Sequence, residues 1–152
     1  MSKEFIKKEI DQIINDQSTP YPQNVALACA WVLGNLKGIN LKILDVKEIS
    51  SLSDYFIIGS ASNHKQAQAM AEEIITQLKR SGEKVISCEG LNSSDWVLID
   101  IGDVLVHIFL ETSRESYDLD TLWANAPILK IPTSYYLSSP EETTEEIEKS
   151  YF

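Results

Sequence analysis

Three groups of residues in this sequence have types that invite chemistry. Gly59-Ser60 follows an apolar run and precedes a helical stretch. Free backbone N–H groups point outward at such a turn and can perch a phosphate or another anion. The phosphate-loop pattern GxxxxGK[ST] and the dinucleotide pattern GxGxxG are both absent. Ser60, His107 and Asp100 hold the residue types of a hydrolytic triad. No GxSxG elbow presents the serine, however, and His107 falls inside a strand, where a histidine is usually a hydrogen-bonded structural residue. The two histidines, His64 and His107, make a His-based metal site improbable. Cys29 and Cys88 are too far apart in pattern for a disulfide framework or a zinc site, and read as reduced, buried thiols. No cofactor and no metal is expected.

The third group is the stretch Glu89–Trp123. It carries Glu89, Asp95, Asp100, Asp103, Glu111, Glu115, Asp118 and Asp120 against one cation, Arg114. Trp96, Tyr117 and Trp123 lie among these acids. A segment so acidic and aromatic suits a surface for a basic partner. Leu119, Leu122 and Trp123 share one helical stripe and read as packing residues. Tyr117 lies off that stripe and reads as exposed beside the acids, a hot-spot composition. Asp100 and Asp103 fit a binding role and the capping of a hairpin turn about equally.

The elements that must position these groups follow from periodicity. Ile6, Ile10, Ile13 and Ile14 make one stripe of an amphipathic helix over 3–16, which a Pro-rich linker ends. That helix would dock on the core or on a partner. Asn24 caps a second helix running to about Lys37, with Gly38 as its left-handed stop. Leu27, Trp31 and Leu36 face the core. Strands are expected at 41–46 and 54–60. A helix from His64 to about Arg80, capped by Ser62-Asn63 and ended by Gly82, leads to a strand at 84–88 that should run parallel to its predecessor. Residues 95–100 and 104–110 form a hairpin around Gly102. Both strands are almost continuously apolar, so helices or a second subunit should cover both faces. Ser113 caps a last helix, which Pro127 stops. The order α–β–β–α–β–β–β–α makes an α/β fold with a mixed sheet.

The strand–Gly59-Ser60–helix arrangement resembles the opening of nucleotidyltransferases, but those enzymes hold magnesium with two carboxylates one residue apart on the next strand. Here that strand is Lys84-Val-Ile-Ser-Cys88, which has no acid, and Asp100 and Asp103 lie a hairpin away.

At 152 residues the chain reads as one domain with extensions. We expect an N-terminal helix and linker over 1–23, a core over 24–126, and an extension over 127–152. Residues 128–137 hold a short apolar run, and 138–152 read as a disordered acidic tail. The net charge of −10 argues against unaided binding to nucleic acid or an anionic membrane. No apolar run approaches the ~20 residues that span a bilayer, and the N-terminus lacks the features of a secretory signal. The expected location is the cytoplasm.

Three stretches in order carry a resemblance: LDVKEISSLSDYFIIGSAS, CEGLNSSDWVLIDIGDVLVHIF and RESYDLDTLW, within residues 24–124. In these the chain resembles the ribosomal silencing factor, or Iojap-like, family. The resemblance implies a nucleotidyltransferase-like fold without catalytic acids, in keeping with the missing dyad. It implies binding to the large ribosomal subunit through its basic ribosomal protein fourteen. Small-subunit joining would be blocked sterically, without enzymatic activity, and family members often form homodimers. Residue 120 is Asp where the family often has Glu, and Gly59-Ser-Ala-Ser62 replaces a usual Thr-Gly before the serine. The expected partner-binding residues are Glu89, Asp95, Trp96, Asp100, Asp103, Arg114, Glu115 and Tyr117. The alternative function is a nucleotide-binding enzyme at Gly59-Ser60.

Overall fold

In a computed structural model the structure describes residues 2–92 and 94–136. The expected acidic tail over 138–152 lies outside the described residues. The elements are α1 (Lys3–Ile14), α2 (Gln23–Asn35), β1 (Ile39–Asp45), β2 (Tyr55–Ala61), α3 (His64–Arg80), β3 (Ser87–Glu89), β4 (Trp96–Asp100), β5 (Val104–Leu110), α4 (Glu111–Tyr117), α5 (Leu119–Leu122) and β6 (Ile128–Leu129). One six-stranded mixed sheet runs β3-β4-β5-β2-β1-β6. The expected α/β order is present, framed by α1 at one end and β6 at the other.

At the sheet centre β2 and β5 pair in parallel over seven residues, from Tyr55 opposite Val104 to Ala61 opposite Leu110. All seven residues of β2 are buried, as are six of β5. Branched and aromatic side chains on both faces of both strands explain their central position. The strand after α3 does run parallel to β2, but not beside it. It crosses two strands to reach the edge and pairs antiparallel with β4. Gly102, at φ +86°, makes the tight turn of the β4–β5 hairpin, and its N–H donates to Asp100 Oδ1 at 2.9 Å.

Helices α1, α2 and α3 cover one face. Ser2 caps α1 by accepting from the Phe5 N–H. Ile6 and Ile10 are buried against the core, and Phe5 meets Trp31 with ring centres 6.0 Å apart. Arg80 at the end of α3 donates to Asp11 at 2.9 Å. The N-terminal helix therefore docks on its own domain.

Three local expectations need correction. Asn24 sits inside α2 rather than capping it. Its Nδ2 donates to the Ile14 carbonyl and its Oδ1 accepts from Val25 N–H, which ties α2 to α1. The left-handed residue after α2 is Lys37, at φ +67°. The last helix begins at Glu111, with Ser113 buried within it, and Asp118 breaks it by adopting φ +48°. Asp118 then caps α5 by accepting from Thr121 N–H. This break turns Leu122 outward, and it is 69% exposed rather than packed.

The C-terminal apolar run becomes β6, pairing with β1 through Leu129 opposite Ile43. Beyond it, the Tyr135 carbonyl accepts from Asn35 Nδ2 at 2.6 Å. Gly34 allows this crossing, since a Cβ there would stand 2.5 Å from the same carbonyl oxygen. Ile10→Ala should cost about 2–4 kcal/mol, because the side chain is wholly buried between α1 and the core. Urea denaturation would measure it, and an unchanged midpoint would mean that α1 is not part of the cooperative unit.

Candidate functional site

The face of the sheet opposite α1–α3 is only half covered. Over β1 and β2, a second apolar cluster of Leu44, Val46, Phe56, Ile58, Leu105, Phe109 and Ala126 is roofed by Leu119 and Trp123. Trp123 stands edge-on to Phe56, with centres 5.1 Å apart. Among the described residues no such roof lies over β4. Val97 and Ile99 point to the helices and are buried, while Trp96, Leu98 and Asp100 point the other way and are half-exposed. Strand pairing sets Trp96 beside Phe109, and Leu98 between His107 and Glu89. Tyr117, at the end of α4, leans over this row. Its ring lies 4.8 Å from Trp96 and 5.6 Å from Phe109, yet the residue is 47% exposed. The expectation that Tyr117 would be exposed among acids agrees with this geometry.

His107 lies beneath the aromatic row. It is 5% exposed, and Trp96 Nε1–H donates to its Nδ1 at 3.2 Å. An indole N–H only donates, so Nδ1 must be unprotonated and the ring proton sits on Nε2. Nε2 is buried and has no hydrogen-bond partner among the described residues. Burial pushes the imidazole down to about 4 from its ordinary 6.5. A neutral, buried histidine held by a tryptophan is not a triad base. Asp100 is one strand away, and its Oδ1 is engaged by Gly102.

Arg114 occupies a different place from the one expected. It is 8% exposed, and each nitrogen of its guanidinium has an acceptor. Nε and Nη2 form a fork on the two carboxylate oxygens of Asp120, each at 3.0 Å. Nη1 donates to Ser60 Oγ at 3.0 Å and to the Asn40 carbonyl. Lys42 adds a second cation on Asp120 at 2.8 Å. These cations hold the Asp120 carboxyl far below the usual carboxylate range. Arg114 thus ties α4 and α5 to β1 and β2. The open hollow beside it, of about 490 Å³, is lined by Asn40, Lys42 and Ser60 with Glu111, Glu115 and Asp118.

This explains why Gly59-Ser60 makes a poor anion perch. Ser60 Oγ already accepts from Arg114, and Asp120 already neutralises that cation. The N-terminus of α3 is capped from within: Asn63 Oδ1 accepts from Gln66 N–H, and Gln66 Oε1 accepts from Ser62 N–H. Among the described residues no cluster of three or more His, Cys, Asp or Glu side chains could hold a metal. No helix among them is long and apolar enough to cross a membrane.

The expected site residues form two groups. Asp95, Trp96 and Tyr117 lie at the end of the sheet where β5 enters α4, the Leu110 N–H donating to the Asp95 carbonyl there, while Glu115 lines the hollow beside Arg114. Asp100 and Asp103 lie at the hairpin end, about 16 Å away at ~3.3 Å per strand residue. Asp100 caps the turn, and Asp103 Oδ2 accepts from the Tyr21 hydroxyl at 3.0 Å. Glu89 projects from the open edge strand beside Leu98. Two residues that build the site were not expected in it. Leu98 was readable from its alternation with Val97 and Ile99. His107 gave no signal beyond being a polar residue in an apolar strand.

A half-roofed sheet face, with no competent catalytic group near it, fits a binding protein. The family model described as "Ribosomal silencing factor during starvation" matches residues 19–151. The chain belongs to this family. The ribosomal silencing factor RsfS of Bacillus subtilis is 44% identical over 85 residues, which are 56% of this chain and 72% of that protein. The Haemophilus influenzae RsfS is 39% identical over 92 residues, 60% of this chain and 90% of that one. A Chromobacterium violaceum crystal structure superposes with a TM-score of 0.65 at 32% identity, covering 67% of this chain and 85% of that one. The chain therefore has a ribosome-associated silencing role and is not an enzyme. The resemblance to the ribosomal silencing factors and the α/β fold both hold.

Two outcomes follow from the buried groups. The unfolded chain binds a proton at the His107 imidazole near pH 6.5, whereas the folded chain does so only near 4. Stability from this group is therefore complete above about pH 6.5 and falls as pH drops toward 4, by up to about 3 kcal/mol. Denaturation midpoints measured across that window should slope for wild type and flatten for His107→Leu. Arg114→Met keeps the stem but removes the fork on Asp120, and should cost about 3 kcal/mol. Arg114→Lys should recover little of this, because an ammonium cannot engage both carboxylate oxygens and Ser60 together. Urea titration of both variants is the check.

Proposed function

We propose that the open half of the sheet docks this protein on the large ribosomal subunit, on its basic ribosomal protein fourteen. Occupancy of that surface keeps the small subunit from joining. The observation that carries this reading is the row Trp96, Leu98 and Tyr117, partly open beside the half of the sheet face that Leu119 and Trp123 roof. Apolar surface left open beside acids marks an interaction site. Acids lie near it: Glu89 is exposed opposite Leu98, Asp95 lies at the end of β4 with its carboxylate 3.7 Å from His64, and Glu115 lines the neighbouring hollow with Glu111 and Asp118.

The charge distribution supports a protein surface as the target. A chain of net −10 is repelled by bare rRNA and attracted by a basic protein embedded in it. Rim acids would speed encounter, and the aromatic row would slow release. Asp100 and Asp103 serve turn and linker contacts and lie at the far end, so they contribute to steering more than to contact. Arg114 acts by holding α4 in place.

A homodimer through the same row is the second reading, favoured by the apolar character of Trp96, Leu98 and Tyr117. Two identical acidic rims would oppose it at low salt. No observation favours a nucleotide enzyme, since the Ser60 hydroxyl and the α3 N-terminus already have partners within the chain.

Co-sedimentation with purified bacterial large subunits tests the proposal. Tyr117→Ala should weaken binding by roughly 10- to 30-fold, the range of a hot-spot aromatic. Glu115→Lys should slow association and reduce its dependence on salt. Both should lose the ability to block joining in a subunit-reassociation assay. Wild-type-like binding by the combined variant would exclude this surface.

A further inference from the structure

The structure assigns His107 as a positioning residue: its Nδ1 fixes the Trp96 indole in the one orientation that presents it on the open face. This rests on the docking reading above, and names how that surface is held ready.

Trp96 is the largest side chain on the exposed row of β4, and a half-exposed indole has several rotamers open to it. Three contacts restrict it here. Phe109, its cross-strand partner, supports it with ring centres 5.1 Å apart and planes inclined by 30°. Tyr117 leans against it at 4.8 Å. Both are apolar contacts and tolerate sliding and rotation of the ring. The bond from Nε1–H to His107 Nδ1 at 3.2 Å is the directional one. It selects which edge of the indole faces inward and which faces out.

The histidine end of that bond is itself fixed. Its ring stacks nearly parallel to Phe109, at 7°, and meets Phe56 edge-on with centres 5.2 Å apart. Its other nitrogen is buried without a partner among the described residues, a standing cost that an apolar residue of similar size would avoid. A leucine at 107 would fill the core without that orphan. What leucine would lose is the acceptor for Trp96. The polar group is therefore best explained by what it does to the tryptophan, not by what it does for the core. An anchor already held in its bound orientation gives up less rotamer freedom on docking.

The test is a mutant cycle read by binding to purified large subunits. His107→Leu removes the acceptor. His107→Asn keeps one, since its Oδ1 is carried on Cγ as Nδ1 is. His107→Leu should bind roughly three- to tenfold more weakly than wild type, corresponding to the freedom of one released side chain. His107→Asn should stay within about twofold. In a Trp96→Phe background, which has no indole N–H to hold, His107→Leu should cause no further loss. Equal losses from His107→Leu in both backgrounds, or no loss in either, would overturn the assignment.

A solution measurement separates this from failure of the docking reading. In the free protein the Trp96 indole N–H resonance, assigned through Trp96→Phe, should be protected from exchange in wild type and His107→Asn and unprotected in His107→Leu. Protection unchanged in a folded His107→Leu protein would refute the positioning role even if no variant bound subunits. Absence of wild-type binding with the exchange pattern as expected would count against the docking surface alone.

Discussion

The parallel pairing of β2 with β5 sets the terms for the rest of the molecule. Two central strands with apolar residues on both faces must be covered twice. Three helices cover one face completely, with Trp31, Ile43, Ile57, Met70, Ile74 and Ile108 closing the larger core. The second face receives only α5, Trp123 and Ala126, which reach across β1 and β2 and stop there. Among the described residues no helix lies over β4, and only Tyr117 leans across it. The uncovered row is thus a consequence of topology: β4 lies on the far side of β5 from the roof, and its outward residues meet solvent.

What keeps that surface in shape is polar. The Arg114 fork on Asp120, with its donations to Ser60 and the Asn40 carbonyl, joins two helices to two strands through one guanidinium. Asp118 then breaks the helix in a left-handed conformation, so that Tyr117 leans over Trp96 while Trp123 turns back to Phe56. The same ion pair closes the position from which a nucleotidyltransferase-like fold would receive an anion. The contacts that occupy Ser60 Oγ are the ones that hold α4 and α5 on β1 and β2. Buried charge is tolerated there because each nitrogen of the guanidinium has an acceptor, one of them the Asp120 carboxylate.

Much of this was legible in the sequence, and the failures have physical causes. The strands at 54–60, 95–100 and 104–110, the helix at 64–80 and the turn at Gly102 follow from periodicity and turn chemistry, which are local. The ribosomal silencing resemblance rested on residues in fixed order, and it held. The strand after α3 runs parallel to β2 as expected, but its neighbours are not legible in the sequence, because pairing is decided by which strands bury two faces, a property of the whole sheet. Arg114 was placed outside because a lone cation amid acids looks like a surface residue. Its partners, Ser60, Asn40 and Asp120, come together only through the β2–β5 pairing and the break at Asp118. The acids looked like one patch for a similar reason. Their density in sequence hid the fact that a strand carries Asp95 and Asp100 to opposite ends of the sheet.

The charge of the molecule bears on how such a surface would work on a ribosome. Repulsion by rRNA acts at range, within a Debye length of about 8 Å in physiological salt, and a protein of −10 gains no general attraction to the particle. Steering would come only from the rim acids as they near a basic patch. Encounter is then slower than for a basic protein, and retention must rest on slow release. Slow release needs apolar contact with little ordering left to do. The Trp96 row has those properties, with rings stacked on Phe109 and the indole bonded to a buried imidazole. A floppy acidic face would reach the ribosome as readily and leave sooner. Rigidity under the aromatic row, more than the number of acids around it, is therefore the feature that suits this surface to occupancy.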